Sequence, residues 1–389
     1  MKRTWLAGLI LAAAWPMSAW GVIGTADNVP GATLLIPYFE LDAGSPGRLE
    51  TVVEIVNSGP APTLAWVNLW TDLGIPTLGF YVYLTGYDVE SFSLSTILLS
   101  STLSVNPGPC TNPTITPSLR DHLQAAHAGQ PSPATGLCYA SGSNGLQTGY
   151  ITVDAMPFSG PCTGLTPVDN GYFDLGGTGA ASNDNVLLGG WYLIDTSNNF
   201  MISERAVSIE ASATDPLTDG AGDYTFYANL PSVDGQGLDN RERLSGDWAF
   251  PFVAQRAFLN VWRDPGGVPA PFTCGGGLPA PFPLGHDQDV VVNTELDTTS
   301  LAGPIPVGLA TSLDANGLGS YLPADAKQGW IYLDLNTDWV GAPIRNLRQA
   351  WVTLMIRASG QYSSGFSAVA VDGAPPFARP ASGRQEDRR

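Results

Sequence analysis

The sequence predicts an all-β protein: two tandem antiparallel β-sandwich modules of Ig-like type, with long loops and one short helix. Three observations carry this. Gly (45) and Pro (32) make up one residue in five of the 389, too many for a helical bundle or coiled coil. Hydrophobic residues still reach 44%, more than a disordered chain carries and enough to fill cores. The regular segments mostly read with period two and are joined by short turns, which marks antiparallel pairing rather than a parallel α/β sheet.

Taken in order, Thr33 to Glu40 is an apolar run, and Thr51 to Asn57 alternates Val52, Glu54 and Val56 against Val53 and Ile55. Asn57-Ser58-Gly59-Pro60 is a strong turn. Leu64 to Thr71 and Phe80 to Thr85 follow as strands, separated by Gly74-Ile75-Pro76. Between Val105 and Gly149 the pattern fails in favour of Pro, Gly, Ser and Asn. One helix interrupts this excursion, from Pro117 to Ala128, with Thr116 as N-cap and Pro117 in the first turn. Strands return at Gly149 to Ala155, Val186 to Asp195 and Glu204 to Ala211.

Two regions then rhyme. Gly149-Tyr150-Ile151-Thr152-Val153-Asp154 matches Gly329-Trp330-Ile331-Tyr332-Leu333-Asp334; Gly190-Trp191-Tyr192-Leu193 matches Ala350-Trp351-Val352-Thr353; and 206–210 matches 366–370. Thr51 to Asn57 echoes Arg256 to Trp262 more weakly. The expected organisation is module 1 over 22–212, with its insertion at 105–149, and module 2 over 240–376. A polar connection over 213–239, with one candidate strand at Tyr224 to Ala228, joins them, and a polar tail occupies 377–389.

Residues 1–21 read as a secretory signal: Lys2 and Arg3, an apolar stretch from Trp5 to Trp15, Pro16, and small Ala19 and Gly21 before a cleavage at Val22. The apolar stretch is too short to span a bilayer. The whole chain has 17 basic and 35 acidic residues, a net charge of −18. Removing Lys2 and Arg3 leaves 15 against 35, or −20, with Lys327 the single lysine. So acidic a surface repels phosphate backbones and anionic lipid, which argues against nucleic acid and peripheral membrane docking, and the polar, basic stretch from Arg379 to Arg389 leads us to expect no membrane anchor after signal cleavage. The four cysteines, Cys110, Cys138, Cys162 and Cys274, are an even number behind a signal and read as disulfides. Local loop closure favours Cys110–Cys138 with Cys162–Cys274, and Cys138–Cys162 ranks close behind. The expected location is periplasmic, cell-surface or extracellular.

Several phrases carry a resemblance: Asp27-Asn28-Val29-Pro30-Gly31-Ala32-Thr33-Leu34-Leu35, Pro37-Tyr38-Phe39-Glu40, Leu69-Trp70-Thr71-Asp72, Tyr83-Leu84-Thr85-Gly86-Tyr87-Asp88 and Val261-Trp262-Arg263-Asp264. The chain resembles a family of exported bacterial β-rich proteins with uncharacterised function. That resemblance implies export and a β-rich fold and brings no activity, cofactor or site with it.

Chemistry is sparsely written. His122 and His127 lie five apart on the helix without the four-residue spacing and Glu of a zinc helix, so they read as polar residues on a surface helix. His286 reads as a loop histidine. No Gly-x-Ser-x-Gly elbow and no Gly-rich phosphate loop with lysine occurs. The sequence therefore assigns no catalytic residue and no metal ligand, and the expected cofactors are none. The acidic turns at Asp234–Asp239 and Asp314–Gly319 share only part of a calcium loop's ligand set and read as ordinary turns first, with Ca2+ binding as the weaker alternative. Asp154, Asp195, Glu204 and Glu210 are the carboxylates to inspect for a catalytic pair, against a solvated sheet face as the plain alternative.

The most pointed feature is aromatic. Alternation puts Trp66, Asn68 and Trp70 on one side of their strand, and Tyr81, Tyr83 and Thr85 on one side of the next. The other sides, Ala65, Val67, Leu69 and Phe80, Val82, Leu84, are aliphatic and form the core. If Trp66, Trp70, Tyr81 and Tyr83 share an exposed face, they make a platform on which sugars stack. The alternative is burial against the 105–149 excursion or the second module. The leading expectation is a secreted, non-enzymatic structural or surface-interaction protein whose partner is another protein or a surface glycan. A carbohydrate-binding protein using the aromatic face, and a polysaccharide-active enzyme with a carboxylate pair, are the alternatives.

Overall fold

The computed structural model describes residues 29–141, 145–174 and 177–212 nearly continuously. Beyond these it describes 226–227, 230, 240–242, 244, 247–253, 257–263, 270–275, 287–294, 297–304, 310–314, 328–334, 349–356 and 369–370. The signal region, His286, the Asp234–Asp239 turn, most of the Asp314–Gly319 turn and the tail lie outside the described residues.

The first half carries β1 (Thr33–Leu41), β2 (Leu49–Asn57), β3 (Thr63–Thr71), β4 (Pro76–Leu84), β5 (Val89–Ser93), α1 (Leu94–Leu98), α2 (Pro117–His127), β6 (Gln147–Met156), β7 (Leu187–Asp195), β8 (Phe200–Arg205) and β9 (Val207–Ile209). The second carries β10 (Asp247–Val253), β11 (Ala257–Arg263), β12 (Asp287–Thr294), β13 (Asp297–Pro304), β14 (Ala310–Asp314), β15 (Gln328–Asp334), β16 (Ala350–Ile356) and β17 (Val369–Ala370). The protein is all-β, and its strand pairs are antiparallel.

Among the described residues four sheets form, ordered β4-β3-β6-β1-β9, β5-β2-β7-β8, β10-β15-β12-β13 and β14-β11-β16-β17. No sheet among the described residues mixes strands of the two halves. Read in chain order, β1 to β8 map onto β10 to β17 with the same neighbours throughout: β4-β3-β6-β1 answers to β13-β12-β15-β10, and β5-β2-β7-β8 to β14-β11-β16-β17. The registers agree in detail. Ile36 pairs in register with Ile151 and Phe250 with Ile331, and each of the first-named is followed by a proline, Pro37 or Pro251. β9 has no counterpart among the described residues.

Alternation explains the first half's core. One apolar cluster takes Leu34 and Ile36 from β1, Val53 and Ile55 from β2, Val67 and Leu69 from β3, Phe80 and Val82 from β4, Ile151 and Val153 from β6, and Trp191 and Leu193 from β7. The two first-half sheets therefore share a single aliphatic interior. The outer edge of β4 is capped by the excursion. The Asn112 carboxamide accepts from Tyr81 N at 2.7 Å and donates to Tyr81 O at 2.8 Å, and Tyr83 N donates to Asn106 O at 2.7 Å. A strand edge dressed in this way offers little to a second chain.

Four expectations are corrected. Among the described residues there are two helices, not one: α1 follows β5 directly, capped by Ser93, whose side chain accepts from Thr96 N. Its five residues are too few to register as helical periodicity. The strand expected at Glu204 to Ala211 is two strands, because the chain changes sheets at Ala206: β8 pairs with β7 and β9 with β1. Phe226 and Tyr227, inside the segment expected as a strand, form a turn. The disulfides are Cys110–Cys162, with Cα atoms 5.5 Å apart, and Cys138–Cys274, at 5.1 Å, rather than Cys110–Cys138 with Cys162–Cys274. Sequence proximity misleads here because the sheets bring distant loops together. The loop after β6 reaches β4, where Gly164 N donates to the Tyr81 hydroxyl, and Cys138 exchanges backbone hydrogen bonds with Phe272.

Candidate functional site

The aromatic side chains of β3 and β4 do share one face, and that face is covered. Trp66, Trp70 and Tyr81 are 4, 2 and 3% exposed, while Tyr83 is half-buried. Trp66 lies opposite Tyr81 with ring centroids 4.3 Å apart, and its Nε1 donates to Asn68 Oδ1 at 2.9 Å. Trp70 stacks on Tyr150 at 5.7 Å and donates Nε1 to Thr152 Oγ1 at 2.9 Å. Tyr150 in turn meets the edge of Trp262, on β11 of the second half, and Trp262 stacks on Phe226. The covering cluster includes Val261, Ala350, Trp351 and Val352 of the second half, together with Tyr172 and Phe173. Trp66, Trp70 and Tyr81 are thus buried: Trp70 leads through Tyr150 to the second half, and Tyr81 is held by Asn112 of the excursion and Gly164 of the loop after β6. The rings and their polar handles face protein, and the expected sugar platform is not a surface.

Within this face sits an ion pair. Asp154 and Arg241 are both fully buried, with Nε 3.7 Å from Oδ1. Thr33 relays between them: Arg241 Nε donates to Thr33 Oγ1, and Thr33 Oγ1 donates to Asp154 Oδ1, each at 2.5 Å. Tyr172 donates to Asp154 Oδ2 at 2.6 Å, and the Tyr227 hydroxyl lies 3.0–3.1 Å from both carboxylate oxygens. Arg241 Nη2 donates to the Ser182 carbonyl at 3.0 Å, and the guanidinium lies over the Phe173 ring at 4.9 Å. Burial raises the Asp154 carboxyl, and the Arg241 charge and the hydroxyl donors oppose that rise. Both tyrosines are raised well above 10, first by burial and then by Asp154, so they stay protonated donors. The arrangement clamps the stretch before β10 onto β1 and β6. It is sealed, so its chemistry is structural.

The remaining carboxylates do not converge with it. Asp195 is the last residue of β7, where donors from Asn198 and Ser197 in the following turn outweigh burial and lower its carboxyl. Glu210 and Glu242 are neighbours joined by a backbone hydrogen bond, Glu242 N to Glu210 O at 2.8 Å. Burial and then Glu210 push Glu242 up to about 7. Glu204 lies on β8, at the opposite end of β7 from Asp195. Among the described residues no group of three or more His, Cys, Asp or Glu could hold a metal ion.

The histidines also part company. His127 is fully buried, not on a surface: Nδ1 donates to the Thr148 carbonyl at 3.0 Å, Nε2 meets Thr77 Oγ1 at 2.8 Å, and burial lowers it to about 4. His122 Nδ1 lies 2.6 Å from Ser132 Oγ, and Tyr139 packs on its ring edge-on. Ser132 is itself 1% exposed, so this pair does not present a nucleophile.

Outward-facing apolar groups tell a different story. Of the five large hydrophobic side chains that stand exposed among the described residues, Val29, Tyr87, Val89 and Phe158 all lie at one end of the first half, and Met201 alone does not. There the chain enters β1, turns from β2 to β3 and from β4 to β5, and leaves β6. Tyr87 is 71% exposed and has a left-handed backbone, φ +58°. Its N–H donates to Gly59 O at 3.0 Å; Asp88 Oδ2 accepts from Thr85 N and Oγ1; and Asn57 donates to Ala61 O and Thr85 O. A non-glycine residue adopts that backbone only when its surroundings enforce it.

Sequence reasoning missed Thr33, Tyr172, Tyr227, Arg241 and Tyr87. The scarcity of basic residues was one signal pointing to Arg241; the others had none. Compared with protein-family models, with curated proteins and with solved structures, the chain finds no match. Among the described residues no helix is long and apolar enough to cross a membrane.

Proposed function

We propose that this is an exported, non-enzymatic surface-interaction protein built of two Ig-like β-sandwich modules that arose by duplication, and that it binds its partner, another protein or a surface glycan, with the loop end of the first module. The carrying observation is the gathering of Val29, Tyr87, Val89 and Phe158 at that end, with Tyr87 held outward by a dense set of loop hydrogen bonds. Exposed aromatic groups on a pre-ordered loop supply contact area at low entropic cost. The matching strand orders of the two halves support duplication. The signal-like first 21 residues and two disulfides, with all four cysteines bridged, support export.

The test places a photo-crosslinking amino acid at Tyr87 or, as a control, at exposed Thr196, at the far end of β7, in the protein as the producing organism exports it. A discrete adduct from position 87 that is missing from position 196 supports the reading. Equal labelling from both positions, or none from either, discards it.

A further inference from the structure

The edge strand β8 carries a feature that neither the core nor the loop end explains. Its side chains alternate strictly: Phe200 and Ile202 point into the first half's core, Met201, Ser203 and Arg205 point out, and Glu204 falls on the inward row. The register places Glu204 directly opposite Trp191, and Ile202 opposite Leu193, on β7. One carboxyl oxygen, Oε1, accepts from Arg205 N at 3.0 Å, while Oε2 is buried without a hydrogen-bond partner. Trp191 Nε1, on the partner residue of β7, is also buried and unpartnered. Ionising a carboxylate on the inner row of an edge strand, with half of its acceptor capacity unmet, carries a desolvation cost that favours the neutral form.

We propose that β8 is a proton-operated latch: it closes the edge of the β5-β2-β7-β8 sheet while Glu204 is protonated and lifts from β7 when Glu204 ionises. Lifting lets Oε2 reach water and uncovers the backbone groups of β7 that β8 now pairs. Burial raises Glu204 to about 7, with the Arg205 N–H and charge pulling the other way. Other charges are turned aside. β7 brings Gly190, Trp191 and Leu193 towards it, with Asp195 at the far end; β2 turns Glu50 and Glu54 to the opposite face; β1 contributes Leu34 and Ile36; and β9, Val207–Ile209, carries none. The sign follows from linkage. The closed strand binds the proton more tightly than the open one, so closure is fully favoured at pH values below the ordinary carboxyl range. It weakens as pH rises towards 7 and is constant above that.

Hydrogen exchange on the full chain reads this directly. After correction for intrinsic exchange, protection of the β8 amides should fall at least tenfold between pH 5 and 7 and then level off, since one unit of pKa shift is a factor of ten. Glu204→Gln should abolish that dependence while keeping β8 protected at both ends of the range. Arg205→Gln should move the midpoint to higher pH. Protection of β8 that is independent of pH in the wild type, or a dependence that survives in Glu204→Gln, overturns the latch.

Discussion

The sheet β4-β3-β6-β1 has two faces made by the same alternation, and they do different work. One side presents Ala65, Val67, Leu69, Phe80, Val82, Ile151 and Val153 to the aliphatic interior shared with β2 and β7. The other presents Trp66, Trp70, Tyr81 and Tyr150 with Asn68, Thr152 and Asp154, and the second half, the excursion and the loop after β6 cover it. Aliphatic packing is non-directional and tolerates many arrangements of similar volume. The aromatic face carries indole N–H groups, hydroxyls and a carboxylate, each of which must meet a partner once buried. The first face holds a sheet pair together, and the second accepts its neighbour in one arrangement.

The widest gap between the faces should open at Arg241. Arg241→Met leaves Asp154 buried without its cation, which costs about 3–5 kcal/mol. Adding Asp154→Asn should recover much of that loss, because the remaining amide and hydroxyls can pair without a net charge. Equilibrium denaturation of the single and double variants measures both. If the single variant lies within 1 kcal/mol of wild type, on the order of a solvated surface pair, the clamp does not hold the second half in place.

Acid separates the faces in another way. His127 lies on the aliphatic side, with its ring 5.3 Å from Phe39, and is neutral when folded. The unfolded chain binds a proton near 6.5, and the folded one near 4. Stability is therefore complete above the higher value and declines as pH falls through that window, by about 3 kcal/mol in all. Asp72, raised by burial to about 6, works in the opposite sense: it favours the folded state at low pH and loses that contribution as pH rises. The measurement is the difference in unfolding free energy between wild type and His127→Gln across pH 4 to 7. The difference should shrink as pH falls, and a constant one would mean that protonation of His127 is not what acid acts on.

The strand positions were legible because alternation is local. β1, β2, β3, β6 and β7 begin and end within a few residues of where the pattern puts them, and Thr116 caps α2 as its side chain suggests. Legibility ended where a second element decides the outcome. Alternation places Trp66 and Trp70 on a common face but does not reveal that Trp262 and Trp351 will cover it. The cysteine pairing depends on which loops the sheets bring together, and the break between β8 and β9 at Ala206 depends on two different neighbours, β7 and β1. The Asp154 clamp draws on Thr33, Tyr172, Tyr227 and Arg241, spread over 208 residues, with no spacing that links them.

The smallest expected effect tests whether the aromatic face is as directional as this comparison makes it. Trp70→Phe keeps a ring to stack on Tyr150 and removes one donor, the Nε1–H that Thr152 Oγ1 accepts. Thr152 also supports the Tyr227 hydroxyl, so the substitution touches the clamp at one remove. The cost should be about 1–2 kcal/mol, a lost hydrogen bond plus a small loss of buried ring. It should also be non-additive with Arg241→Met, because both act on the network around Asp154. Denaturation of the two single variants and the double variant decides it. Strict additivity would mean that the indole and the ion pair act independently, and the face would then be no more directional than the aliphatic side.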